Sequence, residues 1–68
     1  MYSGKHLRLL RTIKNLSQND ISEKLHLKQQ AISKWEKKRH LDHKTVNRFL
    51  IAAGATLKEL EEIRKKFP

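Results

Sequence analysis

The chain has 68 residues and no Cys, room for one small domain with a modest core, and it can form neither a disulfide framework nor a thiolate metal site. No apolar run approaches the roughly 18 residues of a membrane span, and "MYSGKHLRLL" lacks the apolar stretch of a secretion signal, so a soluble cytoplasmic protein is expected. Sixteen Lys and Arg against 7 Asp and Glu leave a net charge of +9, which favours a polyanionic partner, nucleic acid first.

With only two Gly and one Pro, the sequence offers few breakers and reads as a series of short helices without strand alternation. Leu7, Leu10 and Ile13 or Lys14 mark a first amphipathic helix over residues 4–14. Ser17 can cap a second helix, about residues 18–25, with Asp20 three residues on as an acidic capping box and Ile21 and Leu25 as its buried pair. The apolar period restarts almost at once at Ala31, Ile32 and Trp35, so the third helix, about residues 28–37, crosses the second steeply. Asp42 can cap a fourth helix that buries Val46, Phe49, Leu50 and Ala53 and ends at Gly54 in the left-handed conformation. Thr56 and Glu59 form a capping box for a fifth, with Leu57, Leu60, Ile63 and Phe67 on one stripe. The expected fold is all-α, five helices in one domain over residues 1–68.

Charge is unevenly spread along these elements. Residues 1–27 carry five basic and two acidic side chains, residues 28–48 seven and two, and residues 49–68 four and three. The excess peaks over residues 28–48, from the third helix onward. At about 100° per residue, Ala31, Ile32 and Trp35 share one side of that helix, while Gln29, Gln30, Ser33, Lys34 and Lys37 fan across the other. The polar side has no carboxylate, whereas an ordinary solvated face such as "LKELEEIRKK" mixes both signs. Gln can bond adenine through its oxygen and its nitrogen together, and Lys donates to guanine or to phosphate. This is the inventory of a helix that enters a major groove.

"LRLLR", "LSQNDISEKLHL" and "KQQAISKWEK" resemble, in order, the first helix, the second helix with its turn, and the recognition helix of the Cro-like (XRE) helix-turn-helix repressors of phages and bacteria. The resemblance covers most of the chain. It implies a lambda-repressor-like fold in which Ile21, Leu25, Leu27, Ile32 and Trp35 are buried and Ser22 is the small residue where the helices cross. It also implies that Gln18, Gln29, Gln30 and Lys34 touch bases or orient the residues that do, that Ser17 and Lys37 contact the backbone, and that Arg11 and Glu36 form an ion pair. His26 departs from the pattern, because the family often has Gly at the turn; a left-handed residue there costs a side chain about 1 kcal/mol. Gln18 also has a physical argument of its own, as a side chain and an N–H at a helix start.

"KKRH", residues 37–40, reads as a phosphate-facing loop, adding Lys38 and Arg39 to the backbone contacts. "HLDH" brings His40, Asp42 and His43 close in sequence, but no helical face gathers them with a further ligand, and no nucleophile with its base is recognisable. No metal, cofactor or enzymatic activity is expected. The reading is a sequence-specific regulator of transcription, a repressor that binds double-stranded DNA as a homodimer on two half-sites, with Leu60, Ile63 or Phe67 as the dimer contact. The alternative is an antitoxin or protein-interaction adaptor on the same fold. A membrane-surface binder would instead be one long basic amphipathic helix, and the caps here interrupt any such helix.

Overall fold

The computed structural model describes residues 2–68. Five helices follow one another: α1 (Gly4–Ile13), α2 (Gln18–Leu25), α3 (Gln29–Lys37), α4 (His43–Ala53) and α5 (Leu57–Lys66). Each boundary has a local chemical cause. Ser17 Oγ accepts from Asp20 N–H while its own N–H donates to Asp20 Oδ2, the reciprocal pair that opens α2. Asp42 Oδ1 accepts from Thr45 N–H at the start of α4, and Thr56 and Glu59 close the same reciprocal pair at the start of α5. Gly54 ends α4 at φ 64°, and His26 ends α2 at φ 56° and ψ 41°, left-handed as its place in the turn requires. Lys28 is the N-cap of α3, which therefore starts one residue later than its sequence period.

α1 packs against α3 and α5, and α2 against α3 and α4. Their shared core holds Leu7, Leu10, Ile21, Ile32, Leu41, Val46, Phe49, Leu50, Leu60 and Ile63. Leu25, Leu27 and Trp35 are half-buried against its edge, less enclosed than the family resemblance implies. The radius of gyration is 10.6 Å, close to the roughly 11 Å of a compact chain this long, so no helix stands apart from the others.

Three apolar positions depart from the periodic reading. Ile13 is 64% exposed, and Leu57, expected on the buried stripe of α5, is 51% exposed. Leu60 and Ile63, proposed from sequence as a dimer contact, are taken up by the chain's own core, where α5 packs on α1. Only Phe67 of those three remains available, at 44% exposure. Periodicity identifies the stripe of a helix, but not which other helix covers it.

The segment before α1 fastens the ends of the fold together. Gly4 N–H donates to Lys38 O at 2.7 Å, and Leu41 N–H donates to Tyr2 O at 3.1 Å, so the loop after α3 is pinned on both sides. His6 is buried; its Nδ1 accepts from Ser3 N–H at 3.1 Å and its Nε2 lies 2.7 Å from Phe67 O. A carbonyl only accepts, so Nε2 carries the hydrogen and the ring bridges the first helix to the last residues. The Tyr2 hydroxyl donates to Glu61, and Arg64 lies over the Tyr2 ring.

Candidate nucleic-acid interface

α3 presents its first residues and its polar side outward because Ile32 is fully buried beneath it, with Ala31 and Trp35 at the margins. Trp35 is covered from above by Arg48 of α4, whose guanidinium lies 5.5 Å from the ring centre. The C-terminal end of α3 is fixed from below by Gly4: a Cβ there would come within 2.0 Å of Trp35 O and 2.4 Å of Glu36 C. Only glycine allows α1 to approach α3 this closely. Ser22 plays the corresponding part between α2 and α3, buried, with its hydroxyl donating to Asn19 O.

Beneath the exposed face runs a polar network. Arg11 Nε and Nη2 donate to the two oxygens of Glu36 at 2.7 and 3.0 Å, and Arg11 Nη1 donates to Leu16 O at 2.9 Å. The two side chains keep 14% and 3% of their exposure, so the pair is largely out of water and its bidentate geometry matters. Gln18 Nε2 donates to Glu36 Oε1 at 3.0 Å, and Gln18 Oε1 accepts from Gln29 Nε2 at 3.3 Å. A chain of contacts thus leads from α1 through Glu36 of α3 and Gln18 of α2 to the first turn of α3. Gln29 keeps its oxygen and a second N–H free of this network.

The sequence-derived residues fall on one surface. Gln29, Gln30, Lys34 and Lys37 are exposed, Gln18 and Ser33 are half-buried beside them, and Lys38 and Arg39 continue it into the pinned loop. Ser17 lies at the N-terminus of α2 with its Oγ and its N–H already engaged by Asp20, so its hydroxyl hydrogen is the group left to donate. The carboxylates nearest this surface are all engaged. Glu36 is held by Arg11 and Gln18, and Asp20 and Asp42 sit as helix caps, where their bonds to Ser17 and Thr45 hold both carboxyls below the usual aspartate range. What remains outward is donors: Lys28, Gln29, Gln30, Lys34, Lys37, Lys38 and Arg39.

A family model described as helix-turn-helix matches residues 7–60. The chain belongs to the Cro/XRE-like helix-turn-helix family. Neither the curated proteins nor the solved structures yield a match. This helix-turn-helix protein is accordingly a DNA-binding regulator of the XRE type with the lambda-repressor-like all-α fold, in a family of regulators rather than enzymes. α2 and α3 are its helix-turn-helix pair, joined through the left-handed His26. Among the described residues no group of three His, Asp or Glu side chains is placed to hold a metal, the "HLDH" segment included, and no helix is long and apolar enough to cross a membrane.

Sequence reasoning missed three supports of this surface. Arg48 on Trp35, Gly4 under Glu36 and the Gln18–Glu36 bond each join residues from different helices. The only available signal was a glycine at a helix start, where the family resemblance places no special demand.

Proposed function

We propose that the protein is a sequence-specific transcriptional repressor that works in the cytoplasm, inserts α3 into the major groove and binds an operator as a dimer. The observation that carries this reading is the placement of Gln29 and Gln30, without a neighbouring free carboxylate, on a first turn anchored through Gln18 to the buried Arg11–Glu36 pair. A reader of base edges needs side chains held in place before DNA arrives, and the network supplies that order for Gln29. Its free oxygen and N–H are the pair of groups that an adenine edge engages. Ser17, Lys37, Lys38 and Arg39 grip the backbone on either side, positioning α3 without reading sequence.

One helix of this length spans too few base pairs for useful discrimination, so two copies on half-sites about one helical turn apart complete the operator. With Leu60 and Ile63 inside the core, the exposed apolar residues Leu57 and Phe67 on and after α5 are the ones left to support self-association. Occupation of a promoter alone excludes polymerase, so repression requires no surface beyond the one described. Selection of bound duplexes from a random pool tests the reading. Recovery of a two-half-site consensus supports it, and recovery of no consensus defeats it.

A further inference from the structure

The two flanks of α3 are chemically unlike. On one side, Gln18, Gln29 and Ser33 line a polar groove. On the other, a groove runs between Leu27, Ala31, Gln30 and Lys34 and its lining is mainly apolar. Leu27 stands in the turn, half-buried against the core and therefore fixed in place, and Ala31 is half-buried on the helix one position after Gln30. At about 100° per residue Ala31 and Lys34 lie to the same side of Gln30, whereas Gln29 and Ser33 lie to the other. The apolar strip is thus part of the surface offered to DNA, and basic or amide side chains border it with no acid among them.

The major groove contains one apolar feature that differs between base pairs, the 5-methyl group of thymine. We infer that Leu27 and Ala31 form a seat for a thymine methyl in each half-site, so that this flank reads thymine by apolar contact while the other reads by hydrogen bonds. This inference rests on the proposed DNA-reading role of α3. The positive border favours this occupant over a free apolar ligand, since Lys28 and Lys34 need phosphate or base acceptors beside the seat. Thymine places its methyl next to the O4 acceptor, and its paired adenine shows N6 and N7 to an amide such as Gln30. A methyl seat next to Gln30 therefore matches the edge of one A·T pair.

The probe is the tightest duplex recovered from a random pool, resynthesised with each thymine in turn replaced by deoxyuridine, a change that removes only the methyl. One replacement per half-site should weaken binding about fourfold, the ratio expected for the loss of one buried methyl-sized group. The same replacement should be neutral for Leu27→Ala, and for Ala31→Gly if the first variant fails to fold by circular dichroism. The thymine-to-uracil ratio is taken within each protein, so a change in stability cancels. If uracil is harmless at every position of a consensus that binds well, the methyl seat is wrong while the DNA reading stands. A loss that persists unchanged in the folded variant also overturns it, because the methyl then sits elsewhere. If no duplex is enriched, the DNA reading falls and this inference with it.

Discussion

Gln18 Nε2 donates to Glu36 Oε1 at 3.0 Å, so a residue at the start of α2 is held by an acid near the end of α3. Glu36 is nearly inaccessible, and its charge is balanced by the bidentate Arg11. Removing the guanidinium leaves a carboxylate in a poorly hydrated place with only an amide to solvate it, which is worse than removing both charges. Arg11→Met is expected to destabilise the fold by roughly 3 kcal/mol, and the double variant Arg11→Met, Glu36→Met by clearly less than the sum of the two singles. Urea unfolding of the four proteins checks it. Additive losses would show that the two side chains act independently.

His26 sits at φ 56° as the last cap of α2, a conformation that disfavours any residue with a Cβ. His26→Gly is expected to raise stability by up to about 1 kcal/mol, the steric relief being partly offset by a looser unfolded chain. The side chain is exposed, so little contact is lost. A denaturant midpoint equal to or below that of the parent would contradict this.

The positions that sequence revealed best are those whose chemistry is local. Ser17 with Asp20, Asp42, Thr56 with Glu59, Gly54 and the left-handed His26 all act within a few residues of themselves, and each occupies its expected place. The buried faces of α2, α3 and α4 also follow their apolar period. What sequence concealed depends on which helix lies opposite. Leu60 and Ile63 look the same on a stripe that faces α1 as on one that faces a second copy, and Ile13 continues a periodic row past the point where α5 ceases to cover it. His6 appeared among four unassigned histidines, yet it is buried and bridges Ser3 to the Phe67 carbonyl. In the candidate interface, periodicity placed Gln29, Gln30, Ser33, Lys34 and Lys37 on one side of α3. The tie from Gln18 to Glu36 needed the crossing of two helices to be seen.

Gly4 gives a prediction opposite to the usual helix rule. At an open helical site Ala in place of Gly gains up to about 1 kcal/mol. Here the added methyl would fall 2.0 Å from Trp35 O and 2.6 Å from Glu36 O, both backbone atoms of α3. Gly4→Ala is therefore expected to cost about 1–3 kcal/mol through forced separation of α1 from α3. It should also lengthen the Gly4–Lys38 bond that pins the loop after α3. Thermal unfolding and amide exchange at Gly4 and its neighbours check both, and a raised midpoint would exclude the clash.

Acid should unfold the protein through its caps. Hydrogen bonds from Ser17 hold Asp20, and those from Thr45 hold Asp42, below the ordinary value of 3.8. The bond from Lys14, followed by that from Thr56, holds Glu59 below 4.5. A folded-state value below the unfolded one means that the contribution is fully present above the unfolded value and disappears as pH falls through the folded one. Stability should therefore be flat near neutrality with respect to these groups and decline from about pH 4 downward. Asp42→Asn keeps an oxygen for the Thr45 N–H but cannot titrate, so its melting temperature should fall less steeply between about pH 5 and pH 2 than the parent's, a range set by the usual carboxylate values. An identical slope would remove Asp42 from the acid response.

The last prediction separates the side chains that read from those that grip. Gln29 and Gln30 are in the first turn of α3, where side chains reach farthest into a groove, and an amide can meet two base-edge positions at once. Lys37 is exposed at the other end of the helix, beside Arg8 and Ser33, and is placed to meet phosphate. Gln30→Ala or Gln29→Ala should cost about 1–3 kcal/mol on the selected operator and relax choice at one base position per half-site, with the salt dependence of binding almost unchanged. Gln29→Ala carries an additional consequence, because it also frees Gln18 Oε1 and so loosens the residue that Glu36 holds. Lys37→Ala should weaken operator and random duplex alike and lower the salt slope by roughly one per monomer, since one fewer counterion is released. Titrations of each variant against both duplexes at several salt concentrations decide the matter. Equal losses on random DNA for the glutamine variants, or full affinity for the operator, would mean that α3 is not the reading element and would favour a protein partner for this surface.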